Sequence, residues 1–129
     1  MCSSNVKYTP KVGSVSISTP NTALNGTGPM GSVLTASGDG TVINSVTIKA
    51  TGNTQQGMVR LFIDNGVNKF LLVEVMIPAS VQTSVEPAFG IELTGPIKLT
   101  ANYVLYASTE QSDSFVVTAT GVIWENCTC

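Results

Sequence analysis

The residues with the most chemistry in this chain are three thiols, Cys2 and the pair in Cys127-Thr128-Cys129. Thiolates bind zinc, but a structural zinc site takes four ligands and the sequence has no His to complete the set. Copies of the chain could pool their cysteines; a single copy falls short. The expected state is a terminal tail of reduced thiols. The lack of His also removes the commonest general base. Eight acidic residues are spread from Asp39 to Glu125, and nothing in the sequence shows two of them converging as a glycosidase dyad. No Ser lies in a Gly-x-Ser-x-Gly frame. Gly26-Thr27-Gly28-Pro29-Met30-Gly31 has dinucleotide-loop glycine spacing, yet no strand precedes it and no helix follows, so it reads as a plain loop. The expectation is a protein that is not an enzyme and takes no cofactor and no metal.

Composition points to association instead. Charged residues are 11% of the 129, under half the usual ~25%. Ser and Thr together number 29 and Asn nine, so the surface should be uncharged and rich in hydroxyls. Lys plus Arg at 6 against Asp plus Glu at 8 leaves no basic footprint for nucleic acid or an anionic membrane. Contacts with a partner would then rest on apolar area and backbone hydrogen bonds. No apolar run approaches the ~20 residues needed to span a bilayer. Met1-Cys2-Ser3-Ser4 lacks the apolar core of a signal peptide, so cytoplasmic synthesis is expected.

The elements that would position any site are strands. No segment holds a helical period, while short alternating runs recur at intervals of roughly 8 to 12 residues. The fold class expected is all-β, an antiparallel two-sheet sandwich, jelly-roll-like, with about eight short strands. Residues 1–40 read as an extended N-terminal arm and irregular edge strands of the same domain, with Val15 and Ile17 on one short strand. Residues 41–129 read as the sandwich core with a short C-terminal tail. Residues 41–50, 58–64 and 68–77 would form an antiparallel meander. Gly95-Pro96 reads as a turn, Gly121 as a bulge, and residues 79–87 as a crossing between sheets.

The centre of the chain is a hairpin from Gly57 to Pro78, turning at Asn65-Gly66 because Gly accepts positive φ and Asn tolerates it. An odd loop groups Val59, Leu61 and Ile63 with Leu71, Val73, Val75 and Ile77 on one apolar face. The opposite face, with Met58, Arg60, Phe62, Phe70, Leu72, Glu74 and Met76, is mixed rather than polar. A loop or second sheet of the same chain could cover it, or a partner could. Arg60 and Glu74 would meet there as a cross-strand pair. The candidate partner contacts are Arg60, Phe62, Phe70 and Glu74 on this face, with Val15 and Ile17 on the arm.

Val59-Arg60-Leu61-Phe62-Ile63-Asp64-Asn65-Gly66, followed by Leu71 to Ala79, resembles a pattern in small β-proteins from structural gene clusters of tailed bacteriophages. Leu99 to Thr109 is similar to a later strand of the same proteins. The resemblance spans residues 41–120 and excludes the N-terminal third and the Cys-x-Cys tail. It implies a head auxiliary or capsid decoration protein, with crAss-like phages as one source. Its implied partners are the major capsid protein or other virion proteins, with many copies and homo-oligomers as a further option, and neither nucleic acid nor membrane. Its implied location is the capsid surface after assembly in the host cytoplasm. The alternative is a carbohydrate- or receptor-binding module of a fibre or adhesin, with Tyr103, Tyr106 or Trp124 as stacking platforms.

Overall fold

The computed structural model describes residues 6–126. It contains eight strands: β1 (Val6–Ile17), β2 (Gly31–Thr35), β3 (Gly40–Ala50), β4 (Gly57–Asp64), β5 (Lys69–Ile77), β6 (Gly90–Thr100), β7 (Val104–Thr109) and β8 (Phe115–Asn126). They form two four-stranded sheets, ordered β1-β8-β3-β6 and β2-β7-β4-β5, with antiparallel pairing throughout. The pairs β1/β8, β2/β7, β3/β6 and β4/β5 are nested inside one another along the sequence. The chain is thus one long hairpin, turned at residues 65–68 and rolled into two layers. That is the jelly-roll arrangement of a two-sheet sandwich.

Alternation decides the faces. Val46 and Ile48 of β3, Val59 and Leu61 of β4, Leu105 and Ala107 of β7, and Val117 and Ala119 of β8 turn into one core and are almost fully buried. Their strand neighbours Thr47, Thr118 and Thr120 turn outward, and hydroxyls link strands there, Ser14 to Thr118 at 2.9 Å and Ser45 to Thr120 at 2.8 Å.

Three expectations change. The meander does not form, because β3 lies in one sheet and β4 in the other. Both strands are amphipathic, and they bury their apolar sides against opposite layers of one core. Of the arm and edge strands expected in residues 1–40, the edge strand is what residues 6–17 form. Residues 6–17 are β1, paired with β8 along their whole length from Val6–Asn126 to Ile17–Phe115. Gly95-Pro96 is no turn between strands, since β6 runs through it. The ladder absorbs the irregularity opposite Asn44, where pairing steps from Ile43–Ile97 to Ser45–Thr94. Asn44 is also the extra residue against β8, so the bulge expected at Gly121 sits in its partner strand. The segment between β5 and β6 does cross between sheets.

The hairpin keeps its core face except for Leu71, which stands opposite Phe62 and is exposed, and it changes its tip. Val59–Val75 and Leu61–Val73 pair as the apolar pattern requires. The loop, however, has four residues between Asp64 and Lys69, closed by Asn65 N–H donating to Asn68 C=O at 3.1 Å. Side chains hold it: Gly66 N–H donates to Asp64 Oδ1 at 2.8 Å, and the Val67 and Asn68 N–H groups donate to Asn65 Oδ1 at 2.9 Å. Gly66 takes φ +94 as expected. An even loop and the core face are compatible because the register slips between Leu61 and Phe62, which leaves Leu72 as an extra residue of β5.

Candidate interaction surface

The mixed hairpin face is the outer face of the β2-β7-β4-β5 sheet, and at its centre it is closed. Phe62 is 0% exposed and Arg60 7%, yet Phe62 lies outside the core cluster between the sheets. The segment 18–30 covers them. Asn21 N–H donates to Thr109 C=O of β7 at 2.8 Å. Five residues later Gly26 packs against Lys69 of β5. Since β4 lies between β7 and β5, the intervening chain crosses over Arg60 and Phe62. Buried Asn21 fixes this strap: its Nδ2 donates to the Thr27 and Pro29 carbonyls at 3.0 and 2.7 Å, and its Oδ1 accepts from Ala23 N–H at 2.9 Å.

Under the strap Arg60 joins two carboxylates. Nε donates to Glu74 Oε1 and Nη2 to Glu110 Oε2, both at 3.3 Å. Glu74 and Glu110 keep 38% and 30% of their side chains in solvent, so one wall of the triad is hydrated. Arg60 Nη1 and Ser108 Oγ are buried without a hydrogen-bond partner among the described residues, and the two residues are direct neighbours across β4 and β7. Two carboxylates on one guanidinium leave no positive charge for an anion. The triad ties β4 to β5 and to the end of β7, and it is structural.

Of the six residues proposed as contacts, Phe70 and Glu74 present surface. Phe70 is 55% exposed, but the register slip sets it opposite Ile63 and off the Arg60–Phe62 side. Val15 is half-buried and Ile17 belongs to the core at 6%. The aromatics are scattered. Tyr103 packs on the core, Lys69 Nζ sits 4.8 Å from the Tyr106 ring centroid, and Trp124 lies over Gly40.

A contiguous run of exposed apolar side chains lies elsewhere, along β5. This strand pairs with β4 on one side only and ends its sheet. Its Phe70, Leu71, Leu72 and Met76 are all exposed, Met76 at 64%. Beside it, the sandwich is open between β5 and the other sheet's edge strand, β6. A cleft of ≈ 320 Å³ enters there, floored by Leu61 and Val46 and walled by Leu72 and Val73 on one side and Leu93, Pro96 and Ile97 on the other. An unpaired row of backbone N–H and C=O groups next to an apolar cleft can take an extended strand together with one of its side chains. Sequence reasoning passed over Leu71 as core and Leu93 and Ile97 as ordinary strand residues. The available signal was the unbroken apolar run Phe70-Leu71-Leu72-Val73, too apolar for a strand with one wet face.

Among the described residues, no three or more His, Cys, Asp or Glu are grouped to hold a metal ion. Nor, among the described residues, is any helix long and apolar enough to cross a membrane. Cys2 and Cys127-Thr128-Cys129 lie outside the described residues. The sequence matches no protein-family model and no curated protein.

Proposed function

We propose that this chain is a structural virion protein of the capsid decoration type, which binds a phage capsid lattice through the open β5/β6 edge and reinforces it. The observation that carries the reading is the unpaired apolar β5 edge beside its cleft. A partner strand would complete the ladder while an apolar side chain fills the cleft. The poverty in charge agrees with such a contact, because neither long-range steering nor a polyanion is called for. The resemblance of residues 41–120 to small phage β-proteins supplies the class of partner, a major capsid protein or another virion protein. Many copies on one lattice would sum individually weak contacts.

The test is cosedimentation with purified empty capsids, together with a protein inventory of virions that reports copy number. High copy number and capsid association that survives about 0.5 M salt, at ~4 Å screening length, are expected. Absence from virions, or glycan binding without capsid association, would sink the reading.

A further inference from the structure

The outer face of the β1-β8-β3-β6 sheet is uncharged across its first three strands. Alternation turns the even-numbered residues of β1 and β8 outward, and Gly40, Val42, Ser45 and Thr47 of β3 stand beside them in register. None of these positions holds an acidic or basic residue. Charges appear only at the margins: Lys98 and Glu92 of β6, opposite Val42 and Thr47, and Lys49, whose ammonium group is bonded to the Ala88 carbonyl. The charges of β1 and β8 sit at odd positions, with Lys7 opposite Glu125. A solvated sheet face ordinarily turns its polar and charged side chains outward. Loss of charge together with aromatic side chains distinguishes recognition surfaces from the rest of a protein's exterior.

The aromatics lie at one end of that face. Tyr8 and Trp124 are direct partners across β1 and β8, so their side chains share a face with Cβ atoms about 4.5 to 5.5 Å apart. Tyr8 is 64% exposed and Trp124 is half-buried. The sheet itself covers Trp124 from below. Its Nε1, Cε2 and Cζ2 stand 2.5, 2.8 and 2.9 Å from where a Cβ of Gly40 would project, so the indole lies over β3 on a seat that only glycine leaves free. Further along the same strands, in rows ~7 Å apart, come Ser45 bonded to Thr120 and Ser14 bonded to Thr118. Each hydroxyl pair uses one of its two donors and keeps one O–H and several lone pairs for a ligand.

We propose that this face binds an extended, neutral oligosaccharide of β-linked pyranose units, with one ring stacked on Trp124 and Tyr8 and later rings running toward the hydroxyl pairs. A pyranose with equatorial hydroxyls presents C–H bonds on its two ring faces, and the negative face of an aromatic ring attracts those hydrogens. Its hydroxyls replace the water on Ser and Thr. A charged ligand would lose hydration here without meeting a counter-ion. The inference does not rest on the capsid reading. β1 lies three strands from β6 and in the sheet that does not contain β5, so a chain held by its β5/β6 edge keeps this platform open.

Trp124 is the single Trp of the chain, so intrinsic emission reads this site directly. Titration of the full chain with cellohexaose and with chitohexaose should give a saturable blue shift with at least one of them, half-complete at about 1 mM or below, and glucose should need about tenfold more. Raising salt from about 0.05 to about 0.5 M should leave the midpoint unchanged. Tyr8→Ala should weaken binding about tenfold while keeping the urea midpoint, because Tyr8 is exposed. Trp124→Ala, followed by calorimetry, should abolish binding. No response to either hexasaccharide up to about 10 mM, wild-type binding by Tyr8→Ala, or tighter binding of a heparin hexasaccharide would each overturn the proposal. Equal affinity for glucose and the hexasaccharides would overturn the track along the strands. Capsid association of Tyr8→Ala is scored separately: lost saccharide binding with intact association leaves the functional reading standing, and saccharide binding without association leaves the platform standing.

Discussion

Phe62 of β4 stands opposite Leu71 of β5, one residue out of step with the Leu61–Val73 pair beside it. The slip pushes Leu72 out of the ladder as an extra residue and into the wall of the open cleft. Leu72 is 39% exposed, so its side chain is available to a partner at little cost to the fold. Leu72→Lys should change stability by about 0.5 kcal/mol or less while abolishing capsid association, read by urea unfolding and cosedimentation. Unaltered association of a folded Leu72→Lys protein would remove the β5 edge from the interface.

The two phenylalanines of the hairpin should separate cleanly. Phe62 is sealed under the strap, so Phe62→Ala should cost about 3 to 5 kcal/mol. Phe70 is 55% exposed, and Phe70→Ala should cost about 1 kcal/mol or less. Equal losses in urea unfolding would mean that the segment 18–30 does not cover β4 in solution.

Arg60 invites a comparison of charge with volume. Its Nη1 has no partner among the described residues, and its two carboxylates are partly hydrated already. Arg60→Leu, which keeps apolar contact under the strap, should therefore be about 1 to 2 kcal/mol more stable than Arg60→Ala. Identical midpoints for the two variants would show that the ion pairs, and not the packing of the stem, hold this site.

Glycine substitutions should rank by what their Cβ meets. At Gly121 it would overlap the Val42 carbonyl oxygen, a backbone atom in the next strand that cannot rotate away. Gly121→Ala should cost about 3 kcal/mol or more. At Gly66 the space is open and only the φ of +94 objects, so Gly66→Ala should cost about 1 to 2 kcal/mol. Thermal unfolding of both gives the order directly; a Gly66 variant less stable than the Gly121 variant would contradict it.

How much of this was legible in the sequence follows from which interactions are local. Alternation put Val59, Leu61, Val73 and Val75 on one face, and Asn65-Gly66 placed the turn, because both signals sit within a few residues of what they specify. Strand order was not accessible in that way. Residues 41–50 and 58–64 read as neighbours in one sheet, and nothing in their own patterns reveals that they face each other across the core. The slip at Leu72 was hidden too, since a period of two carries no mark for an extra residue. The candidate site failed at Arg60 and Phe62 for a related reason. Their cover hangs on Asn21, whose carboxamide collects carbonyls of its own loop while its backbone bonds to β7, and in the sequence it is one polar residue among many.

The nested pairing also sets an order of events during synthesis. The β4/β5 hairpin joins residues close in sequence and can form early, whereas Val6 meets Asn126 only when almost the entire chain exists. During translation β1 is the first strand made and the last to find its partner. Until β8 emerges, β1 waits without its ladder partner. Lys7, Pro10 and Lys11 lie within the waiting strand and guard it against pairing with another chain over that interval.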